Sequence, residues 1–253
     1  MSNPHDASPV GAATSTPPGT VIYAYGVVDG SASIPSLEGL DGTEVFVVGH
    51  DRLGVLVSEL SVARFGEHMW RRRAEDPSWL ETVARAHHMV LSTVAASTDV
   101  VPLRVPAIYG DPDRVRLMLE TEAPTLGAAL IRIREKVEWG VKIYWVGDAG
   151  GKRGDASAAQ EESRQLRTAT GQVIDERLTT YASDAVKNAP QDQAISGRAE
   201  PMVFNAAYLV PRDSTDDFVA LVTEVAKDLG EPNGLQVELT GPWPAYNFAA
   251  VTW

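Results

Sequence analysis

The sequence predicts an α+β protein made of two compact domains. Three observations carry that reading. The chain has 253 residues, against the ~100–200 that one domain usually holds. Short β-branched and aromatic runs alternate with helix-period apolar stripes in both halves. Between the halves, Gly147–Asp155 holds four glycines in nine residues, which is linker composition.

Taken in order, residues 1–19 carry Pro4, Pro9, Pro17 and Pro18 among Ser, Thr and Ala without periodicity, and are expected to form a disordered leader. Residues 20–146 form the first domain. Val21–Val28 reads as a strand, and Val45–Val48 and Gly54–Ser58 as a hairpin about His50-Asp51-Arg52. Ser78 with Glu81 is a capping box, and Leu80, Val83, Ala84, His87, Val90, Leu91 and Val94 then put one helix face on a core. Pro102 and Pro106 demote Val100–Ile108 to an edge or an irregular crossing. Asp111-Pro112 opens a helix that Pro124 is expected to close, and a second helix through Leu126, Leu130, Ile133 and Val137 ends at Gly140. Val141–Val146 is a further strand.

The expected linker spans residues 147–157, and residues 158–253 form a smaller α+β domain with a long helix. That helix covers Ala158–Lys187, and the strand Met202–Val210 follows the break at Pro190. Ser214 and Asp217 form a second capping box ahead of the stripe Phe218, Leu221, Val222, Val225 and Leu229, with Gly230 and Pro232 as the stop. Leu235–Leu239 is a strand. The aromatic tail Gly241-Pro242-Trp243-Pro244-Ala245-Tyr246-Asn247-Phe248 completes the order.

Composition excludes several classes. At 44% hydrophobic and 22% charged residues the chain lies in the globular range, not the disordered or fibrous one. A formal charge of -12 argues against a groove that tracks nucleic-acid phosphates, and Arg71-Arg72-Arg73 reads as a solvated helix face. No apolar stretch approaches the ~18 residues of a membrane span, and no signal peptide is recognisable, so a soluble intracellular protein is expected. With no cysteine there are no disulfides, thiolate nucleophiles or Cys-ligated metals.

The chemical motifs are equally sparse. Gly147–Lys152 follows a strand, yet only three residues separate Gly147 from Gly151, and Arg153 stands where a phosphate loop needs Ser or Thr. The five histidines lack the i, i+4 spacing of a shared metal, and His87 on its apolar stripe reads as a core histidine. Carboxylate pairs such as Asp111/Asp113 and Asp216/Asp217 sit at helix starts, where the macrodipole already favours them. No catalytic residue, metal ligand or cofactor site is assigned, and no enzyme activity is expected. The competing reading is a small-molecule-binding or enzymatic α+β protein that uses the His87 region.

Five segments then stand out together: Tyr23-Ala24-Tyr25, the His87 helix after Trp79-Leu80, Val101-Pro102-Leu103-Arg104, Glu138-Trp139-Gly140-Val141-Lys142, and Thr240-Gly241-Pro242-Trp243-Pro244-Ala245-Tyr246-Asn247-Phe248. In this order they resemble the gas vesicle protein F/L family, accessory proteins of gas vesicle formation, over about residues 20 to 250. The chain departs from that pattern at Val105-Pro106, where the family usually has Phe-Gly. The resemblance implies a two-domain α+β protein whose N-terminal domain is ferredoxin-like. It also implies a minor vesicle component or assembly factor, cytoplasmic and associated with the gas vesicle. The implied partners are the small hydrophobic shell protein and other accessory proteins.

The matched segments supply the candidate partner-binding or junction residues Trp243, Tyr246, Asn247, Phe248, Glu138, Trp139, Lys142, Arg104 and His87. Trp139 is expected in the core, and Glu138 with Lys142 as a charge pair. Pro242 and Pro244 stiffen a tail that holds three large aromatics, so the tail is expected to pack across the domain junction, with a partner hot spot as the alternative.

Overall fold

A computed structural model describes residues 19–147 and 158–249. The chain divides into two compact units, one from Met1–Val90 with Leu103–Ala123, the other from Leu91–Pro102 with Pro124–Trp253.

In the first unit, β1 (Thr20–Asp29), β2 (Phe46–His50) and β3 (Leu53–Ser61) form an antiparallel sheet in the order β2-β3-β1. β1 is buried without interruption from Val21 to Val28, which explains a run that is apolar throughout instead of alternating. The β2–β3 hairpin turns on Asp51 and Arg52, with Asp51 at a positive φ of 51°. Two short helices follow, α1 (Val62–Phe65) and α2 (Glu67–Arg73), then α3 (Pro77–Ala95), which begins in this unit. Its first turn is capped by Asp76, whose Oδ1 accepts from the Ser78 and Trp79 amides at 3.1 and 3.2 Å; the expected Ser78 cap is displaced by this earlier carboxylate. After the two-residue strand β4 (Val101–Pro102), β5 (Ile108–Tyr109) pairs with β1.

Helix α4 (Pro112–Ile133) runs through Pro124, where the sequence reading ended it. The proline removes one backbone bond, but Leu119, Leu126 and Ile133 are all buried and lie seven residues apart, so one continuous packed stripe outweighs that loss.

The second unit has an antiparallel sheet in the order β7-β8-β6-β9, from β6 (Lys136–Trp145), β7 (Asp184–Lys187), β8 (Met202–Pro211) and β9 (Leu235–Trp243). Helix α5 (Ala158–Thr179) lies between β6 and β7, the single turn α6 (Gln193–Ser196) between β7 and β8, and α7 (Thr215–Val225) between β8 and β9. Val137, Trp139, Val141 and Ile143 of β6 pack with Ile174 and Leu178 of α5 and Phe218, Val222 and Val225 of α7 in one core.

Several expectations change here. The β-α-β-β-α-β order belongs to this second unit, whereas β1 and β2 are joined through a 3-10 turn at Leu40–Gly42 and not a helix, so the ferredoxin-like description does not fit the N-terminal sheet. The strand expected to end the first domain, β6, is central in the second sheet. The units divide within α3, after Pro102 and within α4, not at residues 147–157; of that expected linker, residues 148–157 lie outside the described residues, as do residues 1–18 of the leader. Gly140 does not end a helix but lies within β6, paired with Ala207 and Thr240, and a Cβ there would stand 2.7 Å from Thr240 Oγ1. Helix α5 stops at Thr179, and Asp184–Lys187 of its expected span is strand β7. Ser214 makes no capping bond; its hydroxyl donates to Asp213.

Candidate functional site

Strand alternation decides the site. Trp139 and Val141 face the helices, so Glu138, Gly140 and Lys142 share the opposite face of the sheet. Glu138 is only 3% exposed, and a carboxylate that deep needs donors. The tail supplies them. The Asn247 amide donates to Glu138 Oε2 at 2.7 Å and Asn247 Nδ2 donates to Oε1 at 2.6 Å. Burial raises the Glu138 pKa above the usual carboxylate range, and the two Asn247 bonds oppose that rise. Tyr246 beside it is pushed up to about 12, first by burial and then by the Glu138 charge.

The turn that aims the tail has a backbone reason. Gly241 has φ 124°, and a Cβ there would come within 2.9 Å of the Glu138 carbonyl and 3.2 Å of the Trp139 ring. Trp243 pairs with Glu138 across the strands and donates its indole N–H to Thr240 Oγ1 at 3.2 Å; it keeps 36% of its surface exposed. Phe248 is 3% exposed, with the Arg132 guanidinium 5.8 Å from its ring centre. Arg132 is itself paired with Asp184. Asn188 Nδ2 donates to Asn247 Oδ1 at 3.3 Å.

Glu138, Trp243, Tyr246 and Asn247 therefore converge, with Phe248 anchoring the chain beyond them. The expected Glu138–Lys142 charge pair does not form; Glu138 is committed to Asn247, while Lys142 donates to Gln191 Oε1 at 3.4 Å. Trp139 is buried in the helix-side core. Arg132, Asn188, Thr240 and Gly241 complete the arrangement; Thr240 and Gly241 were matched only as part of the tail segment, and Arg132 and Asn188 were not singled out from sequence. A glycine between a Thr and a Pro was the visible signal for Gly241; Arg132 and Asn188 had none.

Arg104 and His87 belong to the first unit. Arg104 is exposed. His87 is 3% exposed, and its Nδ1 lies 2.9 Å from the Tyr23 hydroxyl. Burial pushes its pKa down to about 4, partly offset by the Leu103 backbone. Tyr25 continues the same polar interior, taking the Leu40 amide at 2.8 Å and donating to Ser58 Oγ at 3.1 Å, and Ser58 in turn donates to the Glu44 carbonyl. Among the described residues no group of three or more His, Asp or Glu side chains is placed to hold a metal ion, and no helix is long and apolar enough to cross a membrane.

Comparison with known proteins decides the family. The family model for gas vesicle synthesis protein GvpL/GvpF matches residues 21–153 and 151–250. The chain belongs to this family. It is 34% identical over 233 residues to gas vesicle protein L of a Streptomyces species, with 84% of this chain and 86% of the relative covered. Gas vesicle protein F of Haloferax mediterranei is 27% identical over 234 residues, covering 91% and 93%. Among solved structures, GvpF of an Anabaena species superposes with a TM-score of 0.70 at 20% identity, over 92% of this chain and 98% of that one. GvpF of Microcystis aeruginosa gives 0.68 at 18%, covering 91% and 99%. At these identities the structural likeness is one of fold.

Proposed function

We propose that this GvpL/GvpF-family chain is an accessory protein of gas vesicle assembly, working in the cytoplasm and on the vesicle without catalysing a reaction. It binds the small hydrophobic shell protein and other accessory proteins. The observation that supports this is the extent of the family match, which takes in the β1 region and the Glu138 and tail segments alike.

The physical task fits. A shell that keeps water from a gas space is made of apolar, strand-forming subunits, and these associate edge to edge unless something covers them first. An acidic chain with a rigid αβ frame can do so. Within that frame we read the β-α-β-β-α-β second unit as the ferredoxin-like one. Its tail, docked on its own sheet through Glu138, acts as a structural strap and not as a free partner hot spot. At His87, burial and the Tyr23 bond favour a packed core histidine over a ligand site.

Co-expression with the shell protein tests the binding. A tagged chain should recover shell protein from the soluble fraction. Recovery no better than from an unrelated acidic protein of similar size would contradict the reading.

A further inference from the structure

The two edges of the second sheet are treated differently. At β7 the outward Ala185 amide is taken by Asp184 Oδ1 at 2.9 Å, Asp184 is held by Arg132, and the Asn188 side chain just past the strand donates to Asn247. That edge is partly closed. At the other edge, among the described residues, β9 pairs with β6 alone.

Register fixes which groups β9 presents. The Val146 amide donates to the Gly234 carbonyl at 3.0 Å, and Tyr144↔Gln236, Lys142↔Glu238 and Gly140↔Thr240 continue the ladder. In an antiparallel pair the intervening residues turn their N–H and C=O away from the partner, so Leu235, Val237 and Leu239 direct theirs outward. The Ala226–Gly230 turn lies close to the Leu235 carbonyl, which leaves Val237 to Leu239 as the open stretch among the described residues. From Leu235 to Gly241 there is no Lys or Pro of the kind that blunts exposed edges.

We propose that the outer edge of β9 is the docking site for an extended segment of a partner protein, with apolar residues in alternate positions and Lys or Arg at its ends. A row of outward N–H and C=O groups repeating every ~7 Å is matched only by another extended backbone. Alternation follows from the two faces of the sheet. Val237 and Leu239 join the helix-side core, so the incoming side chains beside them are apolar, while those beside Gln236 and Glu238 are polar. The flanking charge follows from the rim. Arg198 is already committed to Glu200, Glu238 and Gln236, and Glu231 lies just before the strand, on a chain of formal charge -12. This goes beyond vesicle assembly and stands on the edge geometry and the charge around it.

The test uses the full chain and the capped peptide Lys-Val-Thr-Val-Thr-Val-Lys. Amide hydrogen exchange at Val237 and Leu239 should slow on addition of the peptide. N-methylating alternate peptide amides, which leaves every side chain in place, should weaken binding about tenfold or more. Exchanging the two lysines for glutamates should weaken it about fivefold or more. Val237→Pro removes an outward donor and no β6–β9 bond, so under conditions where it is folded it should bind about tenfold more weakly, whereas Val237→Ala, which loses the same core packing and keeps the donor, should bind like the wild type. Exchange data on the wild type keep the test decisive if that variant fails to fold. The proposal is overturned if the N-methylated peptide binds as tightly as its parent, or if slowing appears at β7 and not at β9. It is equally overturned if Val237 and Leu239 are protected in a concentration-dependent way without peptide, which would make a second copy the occupant.

Discussion

Truncating Asn247 to alanine isolates the contact that holds the tail. The substitution removes the Nδ2 donor 2.6 Å from a carboxylate that is 3% exposed, and it spares the backbone donor at 2.7 Å. A hydrogen bond to a buried charge contributes roughly 1.5–3 kcal/mol, and the exposed 3.3 Å bond from Asn188 adds at most a few tenths. Water entering the vacated space would recover part of the loss, so Asn247→Ala should destabilise the second unit by about 2 kcal/mol in urea unfolding. A double-mutant cycle with Glu138→Gln should give a coupling of about 1 kcal/mol or more. Asn247→Asp makes the sharper variant, because it sets two carboxylates against each other. Both carboxyl pKa values would then be raised in the folded state, and a raised folded pKa means that stability is gained as pH falls through it. Asn247→Ala within about 0.5 kcal/mol of wild type, or a cycle with no coupling, would refute the strap.

The two tail aromatics should differ. Phe248→Ala, nearly fully buried, should cost ~3–5 kcal/mol, whereas Trp243→Ala should cost less because the residue is already 36% exposed; thermal unfolding of both variants checks the order. Tyr208→Phe deletes the 2.7 Å bond to buried Asp175, leaving that carboxylate to Lys187, and should cost about 1–3 kcal/mol by the same measurement. His87 has its folded pKa depressed to about 4 from 6.5, so its neutral form stabilises the first unit above pH 6.5 and that stability is lost as pH falls towards 4. The loss is at most ~3 kcal/mol, and urea midpoints at pH 7 and pH 4.5 should fall further apart in the wild type than in His87→Gln.

Much of this fold was legible because single-element signals were strong. β1 announced itself by a run rich in β-branched and aromatic residues, and the α3 and α7 stripes by their period. What failed depended on partners distant in sequence. Pro124 looked like a stop because local rules cannot see that Leu119 and Leu126 are both buried. Gly140 looked like a helix end because the Thr240 hydroxyl that requires it lies one hundred residues away. The site shows the same split. Glu138-Trp139-Gly140-Val141-Lys142 was singled out as a segment, and reading it with period two would have separated Glu138 from Trp139 and placed each on its proper face. Nothing local tied Glu138 to Asn247 in place of Lys142, since the choice is made by the tail crossing over β6.

Gene deletion in a vesicle-forming host that carries no paralogue tests the assembly role most directly. Buoyant vesicles, counted by flotation and electron microscopy, should be lost in the deletion strain and restored by the wild-type gene. Vesicles of normal number, shape and buoyancy in the deletion strain would contradict it.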